Sequence, residues 1–119
     1  VTITDKTRKM LWGRSGNRCS ICKQELVLDE TDLDDASVIG EECHIISEKD
    51  NGPRHRNDYP TDQFDSYENL LLLCRVHHKM VDDQKETYTE DILRQLKNNH
   101  EKWVTERLNK DDFKESKNH

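Results

Sequence analysis

Apolar residues are scarce in this chain. Only 31% of its 119 residues are hydrophobic, and 37% are charged. Soluble domains usually carry roughly 45–50% apolar residues. The shortfall excludes a large hydrophobic core, and the length has room for one domain only. Either much of the chain is disordered, or something other than apolar burial holds it together. Long apolar runs are also missing. None approaches the ~20 residues of a membrane span, and no signal-peptide core opens the chain. The expectation is a soluble, cytoplasmic chain with no membrane partner. A surplus of positive charge is missing too. Nineteen basic residues face 25 acidic ones, a formal net charge of -6. That balance disfavours a partner held by bulk attraction to phosphates.

The acidity is local. Residues 25–35 hold six acids and no base, and read as a solvated loop without chemistry. Residues 6–23 hold six bases and no acid. The charge balance therefore leaves room for a weakly held nucleic acid, with a partner domain or an oligomer adding grip.

Four cysteines supply a source of stability. Cys19 and Cys22 form a C-x2-C pair in a turn-rich stretch, and Cys74-Arg75-Val76-His77 forms a C-x2-H pair. Nothing around Cys19 suggests the strand-to-helix setting of a redox dithiol. Three thiolates and one imidazole make a common tetrahedral zinc set. The predicted structural zinc ligands are Cys19, Cys22, Cys74 and His77, with Cys43 in place of His77 as a variant. Zinc binding contributes folding free energy on the order of 10 kcal/mol in small domains, which suits a chain short of apolar residues.

Hydrophobic patterning gives the elements. Thr4 to Gly13 reads as a helix capped by Thr4 or Asp5. Ala36 to Ile46 reads as a strand bent near Gly40. Residues 47–68 form a long irregular loop, of the kind that is functional or disordered. Leu70 to Leu73 is a short apolar strand, and His77 to about Asp83 a short helix. Thr89 caps a last helix with Ile92, Leu93, Leu96, Trp103, Val104 and Leu108 as its stripe. Residues 109–119 read as a polar tail or linker. The expected fold is a small zinc-stabilised α+β domain over residues 1–108.

Three further residues carry the chemistry. His44 lies in Glu41-Glu42-Cys43-His44-Ile45-Ile46, Asn69 precedes Leu70-Leu71-Leu72-Leu73, and His78 follows the second zinc pair. Phosphodiester hydrolysis needs a base for water, a cation for the charge on phosphorus and help for the leaving oxygen. A neutral imidazole suits the first role, and His44 is the candidate. His78 and Asp82 stand four apart on one helix face and make half of a metal site.

This order and spacing, between two zinc pairs, resembles the HNH nuclease family, whose core is a ββα-metal finger. The resemblance runs from Cys19 to about Asp83. It implies that His44 is the general base, that Asn69 orients it and the loop, and that His78 binds a catalytic metal. Many members place an Asp or His just before the first His as a metal ligand, and here that place is Cys43. Glu41 or Glu42 could substitute. Glu41 is preferred, because strand alternation puts it on one face with Cys43. Cys43 itself reads as a buried residue. The resemblance also implies Mg²⁺ or Mn²⁺ as catalytic ion, with Ni²⁺ or Zn²⁺ permitted by the imidazole. It implies double-stranded DNA as substrate, cut to leave a 5′-phosphate and a 3′-hydroxyl.

The longer arrangement of Asp50-Asn51-Gly52-Pro53-Arg54, Val81-Asp82, Tyr88-Thr89 and His100-Glu101 is similar to HNH domains of bacterial anti-phage systems, including SAVED-linked nucleases. In that reading Arg54 reaches a phosphate, Lys49 and Arg56 add diffuse attraction, and a sensor domain is a missing partner. The rival is a non-catalytic zinc-finger module that binds a protein or nucleic acid, with His44 and His78 structural.

Overall fold

A computed structural model describes residues 2–117, with backbone alone for 111–117. Helix α1 (Asp5–Arg14) opens the fold, and the Thr4 hydroxyl accepts from the Thr7 amide at 3.1 Å as its N-cap. A short antiparallel hairpin follows, β1 (Val27–Leu28) and β2 (Ser37–Val38). Strand β3 (Gly40–His44) pairs antiparallel with β4 (Leu70–Cys74), placing His44 opposite Leu70 and Gly40 opposite Cys74. A 3-10 turn over Tyr67–Asn69 leads into β4. Helices α2 (Arg75–Asp83) and α3 (Glu90–Lys117) complete the order. The result is α+β, with β3, β4 and α2 forming a ββα unit.

All five residues of β4 are buried, because helices cover the two-stranded sheet from both sides. The partners of β3 separate the two faces. Glu42 accepts from Arg8 Nε at 2.8 Å and from Trp12 Nε1 at 3.1 Å, both on α1. Glu41 and Cys43 turn instead towards α2. The basic helix α1 therefore lies across the strand from α2. Gly40 is required by crowding at this joint: a Cβ there would stand 2.6 Å from Trp12 and 2.8 Å from Leu26.

Two elements differ from expectation. The acidic run is the tip of the β1–β2 hairpin rather than a plain loop, because Val27 and Leu28 pair with Val38 and Ser37. The last helix does not stop at Leu108. Its backbone runs to Lys117, since residues 109–117 contain neither Gly nor Pro to break it. Residues 118 and 119 of the expected tail lie outside the described residues.

The position of α3 is set by polar side chains. His100 is fully buried, and its Nε2 lies 2.8 Å from the Ser15 carbonyl while Nδ1 lies 2.7 Å from Lys23 Nζ. Burial pushes the His100 imidazole below its ordinary value. The neutral ring then donates from Nε2 and accepts from Lys23 at Nδ1. These bonds tie α3 to the end of α1 and to the turn after Cys22.

Candidate metal centres and active site

The turn after α1 brings two cysteines to the start of a Cys/His cluster that could hold a metal. Gly16 has φ +63 and Asn17 φ 58, which reverse the chain into Cys19. Ser20 N donates to Leu72 O at 3.0 Å, fastening the turn to β4. Cys19, Cys22, Cys74 and His77 bring one ligand atom each to within 4.8 Å of one another. Cys74 Sγ lies 3.2 Å and Cys19 Sγ 3.9 Å from His77 Nδ1. Such separations match a shared ion at the ~2.0–2.3 Å bond lengths of zinc. Burial pushes the Cys19 thiol up, but N–H groups of Cys22, Cys74 and Ile21 together bring it below its ordinary value. A thiolate is thus favoured at a buried sulfur. None of the four cysteines is in a disulfide. The set fits zinc.

A second cluster shares no residue with the first. Cys43, His78 and Asp82 also place ligand atoms within 4.8 Å of one another. His78 Nε2 faces Asp82 Oδ2 at 3.2 Å, and its Nδ1 faces Glu41 Oε1 at 2.9 Å. Cys43 Sγ lies 3.9 Å from Asp82 Oδ1. The adjacent residues His77 and His78 thus serve different clusters, as successive side chains of a helix point about 100° apart. Hydrogen bonds to Asp82 and Cys43 raise the His78 imidazole to about 11, with Glu41 adding to the effect. Burial raises Asp82, but its hydrogen bonds to His78 and Arg54 bring it below its ordinary value. Burial pushes the Cys43 thiol up.

This geometry bears on the sequence expectations at Glu41, Cys43, Arg54 and Arg56. Glu41 lies against Nδ1, the ring nitrogen away from Asp82, and is not in the three-residue cluster. Cys43 occupies the place expected for Glu41. Strand alternation put both on one face, but Cys43 sits deeper and is fully buried. Arg54 does not reach outward. Its side chain is 4% exposed, and Nη2 binds Asp82 Oδ1 at 2.7 Å. The guanidinium also donates to Ile45 O at 2.6 Å and Val81 O at 2.9 Å. Its backbone lies in the left-handed region, with φ 58. Arg56 is paired with Glu90 at 3.0 Å and Asp58 at 3.1 Å.

His44 ends β3 with a side chain 38% exposed. Its Nε2 lies 2.7 Å from Asp65 Oδ1. Asn69 is fully buried and makes three bonds: Oδ1 accepts from Ile46 N at 2.9 Å, and Nδ2 donates to Ile46 O at 3.0 Å and Phe64 O at 2.8 Å. One amide thus holds the chain after His44 to the chain before Asp65. Sequence reasoning missed Asp65. Its only local signal is a position four residues before Asn69.

A family model described as HNH endonuclease matches residues 19–85, more than half of the chain. The chain belongs to the HNH endonuclease family. No curated protein matches it. The matched span of this HNH endonuclease domain begins at Cys19 and ends two residues after α2. It contains both clusters, His44, Asp65 and Asn69. Members of this family are generally nucleases. Among the described residues, no helix is long and apolar enough to cross a membrane.

Proposed function

We propose that this chain is a metal-dependent endonuclease that hydrolyses phosphodiester bonds of double-stranded DNA. The observation that carries the reading is the match of the HNH endonuclease family model to residues 19–85, the span that holds both the accessible His44 imidazole and a metal-type cluster. His44 Nε2 is engaged by Asp65 at 2.7 Å. The adjacent residue, Cys43, joins His78 and Asp82. In this reading His44 takes a proton from the attacking water. Asn69 holds the two backbone segments that present it. Cys43, His78 and Asp82 hold a divalent cation, and Glu41 fixes the His78 ring through Nδ1, as carboxylates do for metal-bound imidazoles. A cation bound there supplies charge stabilisation at phosphorus and at the leaving 3′ oxygen. Arg54 keeps Asp82 in place. Cys19, Cys22, Cys74 and His77 hold a structural zinc.

The donor set favours a softer ion than Mg²⁺. A thiolate and an imidazole suit Ni²⁺ or Zn²⁺ better than Mg²⁺ or Mn²⁺, which prefer oxygen ligands. The resemblance to anti-phage HNH domains supports a cytoplasmic effector in bacterial defence, with a sensor domain or a second copy providing grip on DNA.

Zinc-loaded protein incubated with supercoiled plasmid, linear duplex and RNA tests the activity, with Mg²⁺, Mn²⁺ or Ni²⁺ added in turn. The expected result is plasmid nicking that needs the second ion and leaves ends a ligase can rejoin. Cutting of RNA alone overturns the substrate assignment. No cutting with any ion, alone or with the partner-bound protein, favours the zinc-finger rival.

A further inference from the structure

We propose that Asp65 is the positioning residue for His44: it fixes the tautomer and aim of the imidazole that serves as base. The proposal deepens the nuclease reading and rests on it. His44 Nε2 and Asp65 Oδ1 are 2.7 Å apart, across 21 residues of sequence. A carboxylate only accepts hydrogen bonds, so the hydrogen of the neutral ring sits on Nε2. Nδ1 then keeps its lone pair. Among the described residues Nδ1 has no hydrogen-bond partner, and a side chain 38% exposed leaves room for a water. The opposite tautomer would put a hydrogen on Nδ1 and remove the base.

The surroundings make this a built contact rather than a chance surface pair. Asp65 is 12% exposed. Its neighbour Phe64 is 5% exposed, inside the core, and the Phe64 carbonyl accepts from Asn69 Nδ2 at 2.8 Å. Ser66 Oγ donates to Gln63 O at 2.8 Å, and Asn69 N donates to Ser66 O at 3.0 Å. On the other side, Ile45 N donates to Asn69 O at 2.8 Å, and Ile46 N donates to Asn69 Oδ1 at 2.9 Å. Both partners are therefore referenced to Asn69. Asn69 sets the separation of the pair, and Asp65 sets the ring.

The proton balance is simple. Water oxygen bonds to phosphorus, its proton moves to His44 Nδ1, the bond from phosphorus to the 3′ oxygen breaks, and the departing 3′ oxygen takes a proton from solvent water. The ring is then an imidazolium with both nitrogens protonated, and the Asp65 carboxylate faces the new charge. Carboxylates orient catalytic imidazoles in this way in other hydrolases.

Two measurements on the zinc-loaded protein test the proposal. Nitrogen-15 spectra of the His44 ring, recorded without the second ion, report the tautomer directly. In its neutral form the wild-type ring should be protonated on Nε2, and that of Asp65→Ala should be a mixture of the two tautomers. In plasmid cleavage Asp65→Ala should lower kcat by about 100-fold with KM within about twofold, and Asp65→Glu should recover part of the loss. Zinc content and second-ion affinity should match the wild type in both variants. A wild-type ring protonated on Nδ1, or an unchanged tautomer in Asp65→Ala, overturns the assignment. So does a kcat for Asp65→Ala within about threefold of wild type. If the wild type cuts no nucleic acid, the nuclease reading fails, and the spectra still decide whether Asp65 sets the ring.

Discussion

Arg54 Nη2 lies 2.7 Å from Asp82 Oδ1, and this pair joins the irregular loop to α2. The same guanidinium caps carbonyls of His44, Ile45, Val81 and Tyr88. Its side chain is 4% exposed and that of Asp82 is 32% exposed. Removing the cation takes a donor from four carbonyls and from the Asp82 carboxylate, which keeps His78 at 3.2 Å. Arg54→Ala should lower stability by about 2–4 kcal/mol, below the fully buried limit because Asp82 still meets solvent. Denaturant titration of the zinc-loaded protein measures this. Arg54→Lys should recover little, because one ammonium cannot replace the fork. A loss of DNA affinity without a loss of stability would return Arg54 to the phosphate-binding role.

The His78 site gives a pH dependence. Its imidazole is raised to about 11, chiefly by Asp82, above its ordinary 6.5. A raised value means the folded protein holds the proton more tightly than the unfolded chain. The stability this adds is complete below pH 6.5 and fades as pH rises through about 11. Asp82 is shifted down, so its contribution is present above its ordinary 3.8 and lost as pH falls below it. Without the second ion, wild type should therefore exceed His78→Ala in denaturation midpoint most clearly near pH 6, and the gap should close in alkali. A gap that widens with rising pH would contradict this arrangement.

Binding of the second ion must displace that proton. Calorimetry in buffers of different ionisation enthalpy counts protons released. At neutral pH about one proton should leave His78, and about one more should leave Cys43 if its thiolate is a ligand. Cys43→Ser should then release one fewer. Cleavage supported by Ni²⁺ or Zn²⁺ should fall about 10–100-fold in that variant, while cleavage supported by Mg²⁺ changes little. Equal proton counts in the two proteins would remove Cys43 from the ligand set.

The zinc should be a folding requirement. Chelation, or Cys22→Ser, should abolish the cooperative unfolding transition, since structural zinc contributes on the order of 10 kcal/mol and the apolar content is only 31%. Circular dichroism and metal analysis on the same samples check this. A folded, zinc-free domain would show that apolar burial suffices.

The sequence made some of this legible because the chemistry is local. The two zinc pairs are spaced by short turns, and His78 and Asp82 share a helix face. Asn69 was readable only through its order with His44 and His78 between the two Cys/His pairs. What was hidden depends on how the irregular loop folds back. Asp65 meets His44 across 21 residues, and no periodicity reports that contact. Composition alone would place Arg54 in solvent, but the folded loop buries its guanidinium against Asp82 and the Ile45 and Val81 carbonyls. Alternation put Cys43 and Glu41 on one face but carries no information on depth, and depth separates the cluster member from the residue behind it. The hairpin was masked by acids that crowd its tip rather than its strands.

The proposed role of His44, activation of water for DNA cleavage, is open to a direct comparison. Wild type and His44→Ala, matched for zinc content and second-ion binding, should be compared on supercoiled plasmid with Mn²⁺ or Ni²⁺ present. Wild type should nick the plasmid, and His44→Ala should lose about 100-fold or more of that activity with unchanged DNA binding. Equal cutting by the two proteins would contradict that role.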